Sequence, residues 1–441
     1  MTISNLQSGH EGWKRLENSE EAFTTVSTTF GSAWMDSPLF LSLASCRLLL
    51  AFAPPRLIEG LQLDHQLSSP LTSYYRLKEG LWLYQHDVDP YAGGIFRHSP
   101  LFLSLFATVP PSPVAWALCD TIGAWALLRI WRARQRINKA PSSRDGLIAV
   151  VYLLNPYLLL PSLALSTATF ENMMVLLSLM FASEGKRSPA LLALACSIHL
   201  SLSTFLLLAP LLMLLATSPA SQLASPRPFT GSLKAVAKCA GETAVYWLVL
   251  FGAASIMAGG GWGWMRETWG ASLTLPDLTP NPGLWWYFFT EMFDHFRPFF
   301  LMVFSVHLVI YILPICIKFQ HDAMYAFFLL VGILGTFKAY LTLADPGLFL
   351  SMFVLFPEVY PYLRHPIVTT LLHTHASLLL PLFHALWVTE GRGNANFYYA
   401  ASLVMGVANG AGVVDACFAG MRIAIGDIAD AEREKWEVVQ E

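Results

Sequence analysis

Charge is what this sequence has least of. Only 13% of its 441 residues are charged, whereas 55% are hydrophobic and the mean hydropathy is +0.50. An ordinary soluble domain carries about 25% charged residues, so lipid must cover much of the surface that charge would otherwise dress. The net charge of −3 excludes the basic stripe that a nucleic-acid partner requires. No Asn-x-Ser/Thr sequon, CxxC pair, HExxH, Gly-rich phosphate loop or Ser or Cys nucleophile motif occurs, so no metal or cofactor is expected. The six cysteines (Cys46, Cys119, Cys196, Cys239, Cys316 and Cys417) all fall in or beside apolar runs. They read as small buried hydrophobes rather than disulfides. The first 37 residues are polar and lack the basic start and apolar stretch of a cleavable signal peptide. The first apolar run, 39–58, therefore reads as an uncleaved signal anchor.

Hydrophobic runs are what the chain has in abundance. Twelve read as membrane spans for about 30 Å of hydrocarbon: 39–58, 113–131, 146–165, 167–183, 189–202, 204–217, 235–258, 298–317, 323–342, 347–360, 366–388 and 396–418. A further run, 100–109, is too short to span and stops at Pro110-Pro111, which marks it as re-entrant or interfacial. The expected fold is all-α, a single polytopic helical bundle of about twelve spans over 38–420, with a polar extension 1–37 and a tail 421–441. With the N-terminus in the cytosol, alternation puts 18 of the 27 Lys and Arg in cytosolic segments and seven opposite. That asymmetry follows the positive-inside rule and places both termini in the cytosol. Loops 59–99, 259–297 and 389–395 then face the lumen. Within the first, Thr72–Gln85 has the spacing of an amphipathic surface helix. The second is dense in Trp and Phe, which suits the headgroup zone.

Few residues offer chemistry. Asp87-Val88-Asp89 in the first loop sits where multispanning, lipid-sugar-dependent glycosyltransferases of the GT-C type keep an acidic residue. Asp89-Pro90 is equally a turn signal. His373 and His375 are two residues apart and so point to opposite sides of a helix, while His384 lies three turns on. Packing and hydrogen bonding account for all three. Lys338 lies near the lumenal end of its span, from where it could snorkel to headgroup phosphates. Asp415 lies near the cytosolic end of the last span, too far in depth to pair with Lys338, and suits an interhelical hydrogen bond.

One stretch is far more specific. LPDLTPNPGLWWYFFTEMFDHFRPFF, residues 275–300, closely resembles the signature of the PIG-U family, subunits of the glycosylphosphatidylinositol (GPI) transamidase complex. Further matches follow in family order: Pro90-Tyr91 with Gly93, Leu154-Asn155-Pro156-Tyr157, Phe337-Lys338-Ala339-Tyr340 with Asp345, and Asn394-Ala395-Asn396-Phe397-Tyr398-Tyr399-Ala400 followed by Asp415. The similarity runs from about 66 to 420; the N-terminal extension is a departure, and the family does not depend on Asp87 and Asp89. The resemblance implies a non-catalytic subunit of GT-C-like topology in the endoplasmic reticulum membrane. Its partners would be the other subunits, including a caspase-like cysteine protease that carries the nucleophile, together with membrane lipids and the GPI glycolipid that it recognises or presents. Candidate glycolipid contacts are Asn281, Trp285, Phe289, Phe293, His295, Phe296, Arg297, Lys338, Asn394, Asn396 and Phe397. Glu291 is expected to pair with His295 one turn on, and Asp415 to be structural. The competing reading is a dolichol-phosphate-mannose-dependent GT-C mannosyltransferase.

Overall fold

A computed structural model describes residues 38–137 and 144–426. The extension 1–37, the end of the tail and both termini lie outside those residues. Among the described residues every regular element is helical.

The chain opens with α1 (Pro38–Leu50) and α2 (Pro55–Gln62), bent 87° apart where Pro54-Pro55 interrupts the run. The first long loop carries α3 (Tyr74–Gln85), the predicted amphipathic helix, and α4 (Pro100–Thr108). α4 is nine residues long and buries Phe102, Leu103 and Phe106. At 1.5 Å per residue it cannot span the bilayer, as its sequence suggested. Helix α5 (Pro113–Arg134) follows, then α6 (Asp145–Leu153) and α7 (Pro156–Leu163). These last two form one predicted span bent by 51° at Asn155-Pro156. Asn155 caps α7 through Tyr157 N and donates to Gly347 O and Ser351 Oγ. The Leu-Asn-Pro-Tyr motif is thus a bend held from outside.

Next come α8 (Ala168–Ser183), α9 (Arg187–Leu200), α10 (Leu208–Leu215), α11 (Leu233–Met257), α12 (Gly263–Glu267) and α13 (Trp269–Thr274). The second long loop ends in α14 (Trp285–Thr290), followed by α15 (Arg297–Ile310) and α16 (Ile312–Lys318). The last elements are α17 (Ala323–Phe337), α18 (Ala344–Met352), α19 (Pro366–His384) and α20 (Ala395–Ile425).

Helix α17 is the axis of the bundle. Every residue from Ala323 to Thr336 is buried, as befits a helix apolar all round. An aromatic column of Tyr325, Phe328, Phe349, Phe353 and Phe356 joins it to α18 and the turn beyond. Gly332 lets α18 and α20 close on it, since a Cβ there would stand 2.5 Å from Val413 Cγ2 and 2.7 Å from Phe349. Among the described residues five helices are long and apolar enough to cross a membrane, and up to seven if each bent pair is one span. The twelve predicted runs exceed that number because several are short. α8, α17 and the segments 202–215 and 344–355 are apolar helices of 10–17 residues. A 15-residue helix rises only about 22 Å. The outer helices differ: only 11% of the Arg297–Lys318 window is buried, against 72% for Pro113–Arg134. All six cysteines are unpaired.

Helices α7 and α18 approach closely at Gly347, where a Cβ would meet Tyr157 Cβ at 2.8 Å and the Tyr157 carbonyl at 3.1 Å. We predict that Gly347→Ala lowers stability by about 1–3 kcal/mol through overpacking. Thermal unfolding of the purified protein tests this. An unchanged melting temperature would refute the close approach of the two helices.

Candidate functional site

The two long loops are pinned to each other by ion pairs. Arg76 binds Asp277 at 2.6 Å, and Arg97 pairs with Glu267. Asp277 also accepts from the Thr279 amide and hydroxyl. Burial opposes its ionisation, but the Thr279 hydroxyl and Arg76 outweigh that and hold its pKa below the ordinary value. Asn281 is buried and accepts from Gly283 N at 2.9 Å while donating to Thr279 O. The Pro-Asp-Leu-Thr-Pro-Asn stretch is therefore a self-braced turn, and the Asn281 amide is engaged within it.

That turn delivers α14, whose faces point in different directions. On one face Trp285 donates to Phe337 O at 2.9 Å and packs with Phe289 against Phe304. On the other, Trp286 stacks on Trp387 and touches Tyr398 and Tyr399, while Tyr287 stacks on Tyr399 with centroids 4.6 Å apart. Trp285, Trp286 and Phe289 are all buried. Among the candidate contacts, the aromatics left exposed are Phe293, Phe296 and Phe397. His295 lies against Phe296 and Phe293. Arg297 donates to Leu275 O, and Glu291 lies beside the Tyr287 hydroxyl rather than pairing with His295.

The short third loop meets this helix. Tyr287 donates its hydroxyl proton to Asn396 Oδ1. Asn394 caps α20, its side-chain oxygen accepting from the amides of Asn396 and Phe397. Phe397 stacks on Phe383. Asp415 accepts from Arg364 N at 2.6 Å and His365 N at 3.0 Å, tying α20 to the start of α19.

Lys338 departs from its expected role. Rather than snorkelling, it is buried and donates to both oxygens of Glu171, at 2.7 and 2.9 Å, and to Asp345 Oδ1 at 2.8 Å. The other Asp345 oxygen accepts from Thr342 N and Oγ1. The backbone at Lys338 is extended, so its side chain leaves the end of α17 and turns inward. Beside this cluster lies a cavity of about 300 Å³ whose wall includes Arg97, His98, Glu171, Trp285, Lys338 and Tyr340. Burial pushes the pKa of His98 down to about 4, so its ring is neutral, with Nε2 3.0 Å from Ser73 O.

Sequence reasoning missed Glu171, Arg97 and His98. A carboxylate inside the apolar run 167–183 was the available signal for Glu171. Asp87 and Asp89 are not part of the cavity wall. Asp89 instead closes a turn onto Tyr91 N, and Asp87 has a φ of 57°. His373 and His375 bond to carbonyls one turn back, and His384 faces His65.

Removing one charge from the ion cluster should unbalance it. We predict that Lys338→Met strands two buried carboxylates at a cost of about 3–5 kcal/mol, and that adding Glu171→Gln restores part of the loss. Detergent-extracted yield by size-exclusion fluorescence measures both. Full yield from the single variant would refute a role for the cluster in holding the fold.

Comparison with known proteins completes the site. The family described as "GPI transamidase subunit PIG-U" matches residues 41–405. GPI transamidase component GAB1 of Saccharomyces cerevisiae is 33% identical over 378 residues, covering 84% of this chain and 90% of the relative. The GAB1 homolog of Schizosaccharomyces pombe is 31% identical over 354 residues, 77% and 82% of the two chains. GPI-anchor transamidase component PIGU of Homo sapiens is 30% identical over 373 residues, 78% and 84% of the two chains.

Proposed function

The chain belongs to the PIG-U family of GPI transamidase subunits, and from that premise we propose that it holds the GPI lipid for the complex. It is a subunit of that complex and not its catalytic protease. The mannosyltransferase reading is not favoured. The chemistry of transfer then belongs to a partner, a caspase-like cysteine protease subunit in our reading. This chain contributes positioning, which accelerates a reaction by fixing the two reactants near each other.

We place the bundle in the endoplasmic reticulum membrane with about twelve crossings in a GT-C-like arrangement and both termini cytosolic. The distribution of Lys and Arg supports that orientation. A GPI presents acyl chains, phosphates and a glycan at successive depths. A receptor for it needs apolar helix surface, aromatic faces and amide donors in the same order.

The observation that carries the proposal is the contact of Tyr287 with Asn396. It joins the aromatic second loop to the amide-bearing third loop, so residues 109 positions apart in sequence form one surface. Asn396 and Asn394 supply amide groups there, and Phe397 adds an exposed ring. Phe293, His295, Phe296 and Arg297 continue the second loop towards α15 and are the proposed contacts at headgroup depth. Trp285, Phe289, Asn281 and Lys338 act from beneath, holding the surface in place. Glu291 and Asp415 are structural.

The structure refines how the two asparagines should be tested. Asn394→Leu removes a helix cap and would cost about 0.5–2 kcal/mol for that reason alone. Asn394→Ser keeps a capping oxygen while removing the amide donor. Asn396→Leu leaves the cap intact. We predict that Asn394→Ser and Asn396→Leu each lower GPI occupancy of the intact complex by about tenfold, the loss of one ligand hydrogen bond. Surface display of a GPI-anchored reporter should fall with it. Immunoprecipitation followed by measurement of subunits and bound GPI tests this; normal GPI in an assembled mutant complex would defeat the proposal.

A further inference from the structure

The cavity of about 300 Å³ lies on the Trp285 face of α14, opposite the Tyr287–Asn396 contact. Its size falls at the lower end of the range for small-ligand pockets. Two cations stand in its wall, and both are already neutralised: Arg97 by Glu267, and Lys338 by Glu171 and Asp345. These two cations face three carboxylates, so no positive charge is left over for a phosphate.

Hydrogen-bonding capacity does remain. The Ser201 and Ser203 hydroxyls lie 3.0 Å apart, and both residues belong to the same wall. A hydroxyl can donate or accept, so this set matches a ligand whose own polar groups are hydroxyls and ester or ether oxygens. Ser69, Thr72, Ser99, Thr167, Ser272 and Ser305 add further hydroxyl-bearing residues, and the remaining lining is mainly apolar. Phe205, Leu273 and Val309 belong to the wall and are also exposed at the protein surface. They give the cavity an apolar mouth.

We propose that this cavity is a second lipid site, which takes a neutral, hydroxyl-bearing headgroup and lets its chain leave past Phe205, Leu273 and Val309. The head is a glycerol or a single sugar rather than a phosphate, and the Ser201 and Ser203 hydroxyls exchange hydrogen bonds with its oxygens. This site is separate from the one holding GPI, and it can be occupied whether or not that reading stands.

The test uses the purified complex in phosphatidylcholine nanodiscs with three probes carrying a diazirine on the acyl chain: diacylglycerol, monohexosyl diacylglycerol and phosphatidic acid. We expect one or both neutral probes to label peptides containing Phe205 or Val309, with phosphatidic acid about tenfold weaker. Whichever neutral probe labels more strongly identifies the headgroup. Ser203→Phe should fill the cavity and abolish that labelling, and Ser201→Ala should reduce it about tenfold. Equal labelling by phosphatidic acid overturns the proposal. So does wild-type labelling of an assembled Ser203→Phe complex. If that variant does not assemble, undiminished labelling of Ser201→Ala overturns it instead. GPI occupancy is read separately, by the Asn396→Leu experiment, so the two readings fail independently.

Discussion

A cation placed inside an apolar bundle has to be matched there, and Lys338 is the point at which this protein meets that requirement. Its partners come from two other elements: Glu171 from the first turn of α8 and Asp345 from the first turn of α18. Asp345 then uses its second oxygen to close the turn at Thr342. One charge therefore fixes how α8, α17 and α18 meet, and fixes the backbone between α17 and α18 as well. The adjacent residue, Phe337, offers the carbonyl that receives Trp285. The ion cluster, the aromatic loop and the cavity wall are consequently one mechanical unit.

Matched buried charges recur elsewhere in the bundle. Arg47 of α1 binds Asp120 of α5 at 2.7 Å and Ser162 of α7 at 2.6 Å. Arg134, at the end of α5, is fully buried and binds Asp322 before α17 and Glu358 beyond α18. Each set joins segments far apart in sequence. Such pairs add little net stability compared with apolar packing, because desolvation offsets the attraction between the charges. Their effect is on specificity. Apolar helices in lipid slide and rotate against each other at small cost, whereas an unmatched charge excludes every arrangement but one. The apolar surface supplies cohesion, and the ion pairs choose the register.

The sequence was most legible where a feature lies within one element. The long apolar runs, the helix at 74–85 and the short run at 100–108 all appear close to where spacing put them. The family signature at 275–300 needs only contiguous residues. What could not be seen depends on contacts between elements. Hydropathy registers Leu154-Asn155-Pro156 as part of one run, and only Gly347 and Ser351 show that it is a supported bend. Lys338 looked like a snorkelling cation because its partner Glu171 lies 167 residues away. Composition made Trp285, Trp286 and Phe289 look like a membrane belt, whereas the neighbours of α14 turn them inward. Asn394 is the reverse case, because an Asn immediately before a helix is a local capping signal that sequence alone can supply.

The position of α14 explains why a subunit without catalytic chemistry needs so much internal order. Six residues are too few to hold a helix in isolation, since nucleation is costly and the helix repays it only with length. α14 must therefore take its stability from both sides, through Trp285 to the end of α17 and through Trp286 and Tyr287 to α20. Loosening either side would move Tyr287 away from Asn396 and separate the aromatic and amide halves of the outer surface. Trp285 receives its support from the residue next to Lys338, so the accuracy of that outer surface is set by a charge cluster buried inside the bundle. The outer surface proposed to hold the GPI glycolipid would gain affinity by being ordered before the ligand arrives. Here that order comes from buried charge, transmitted through one tryptophan.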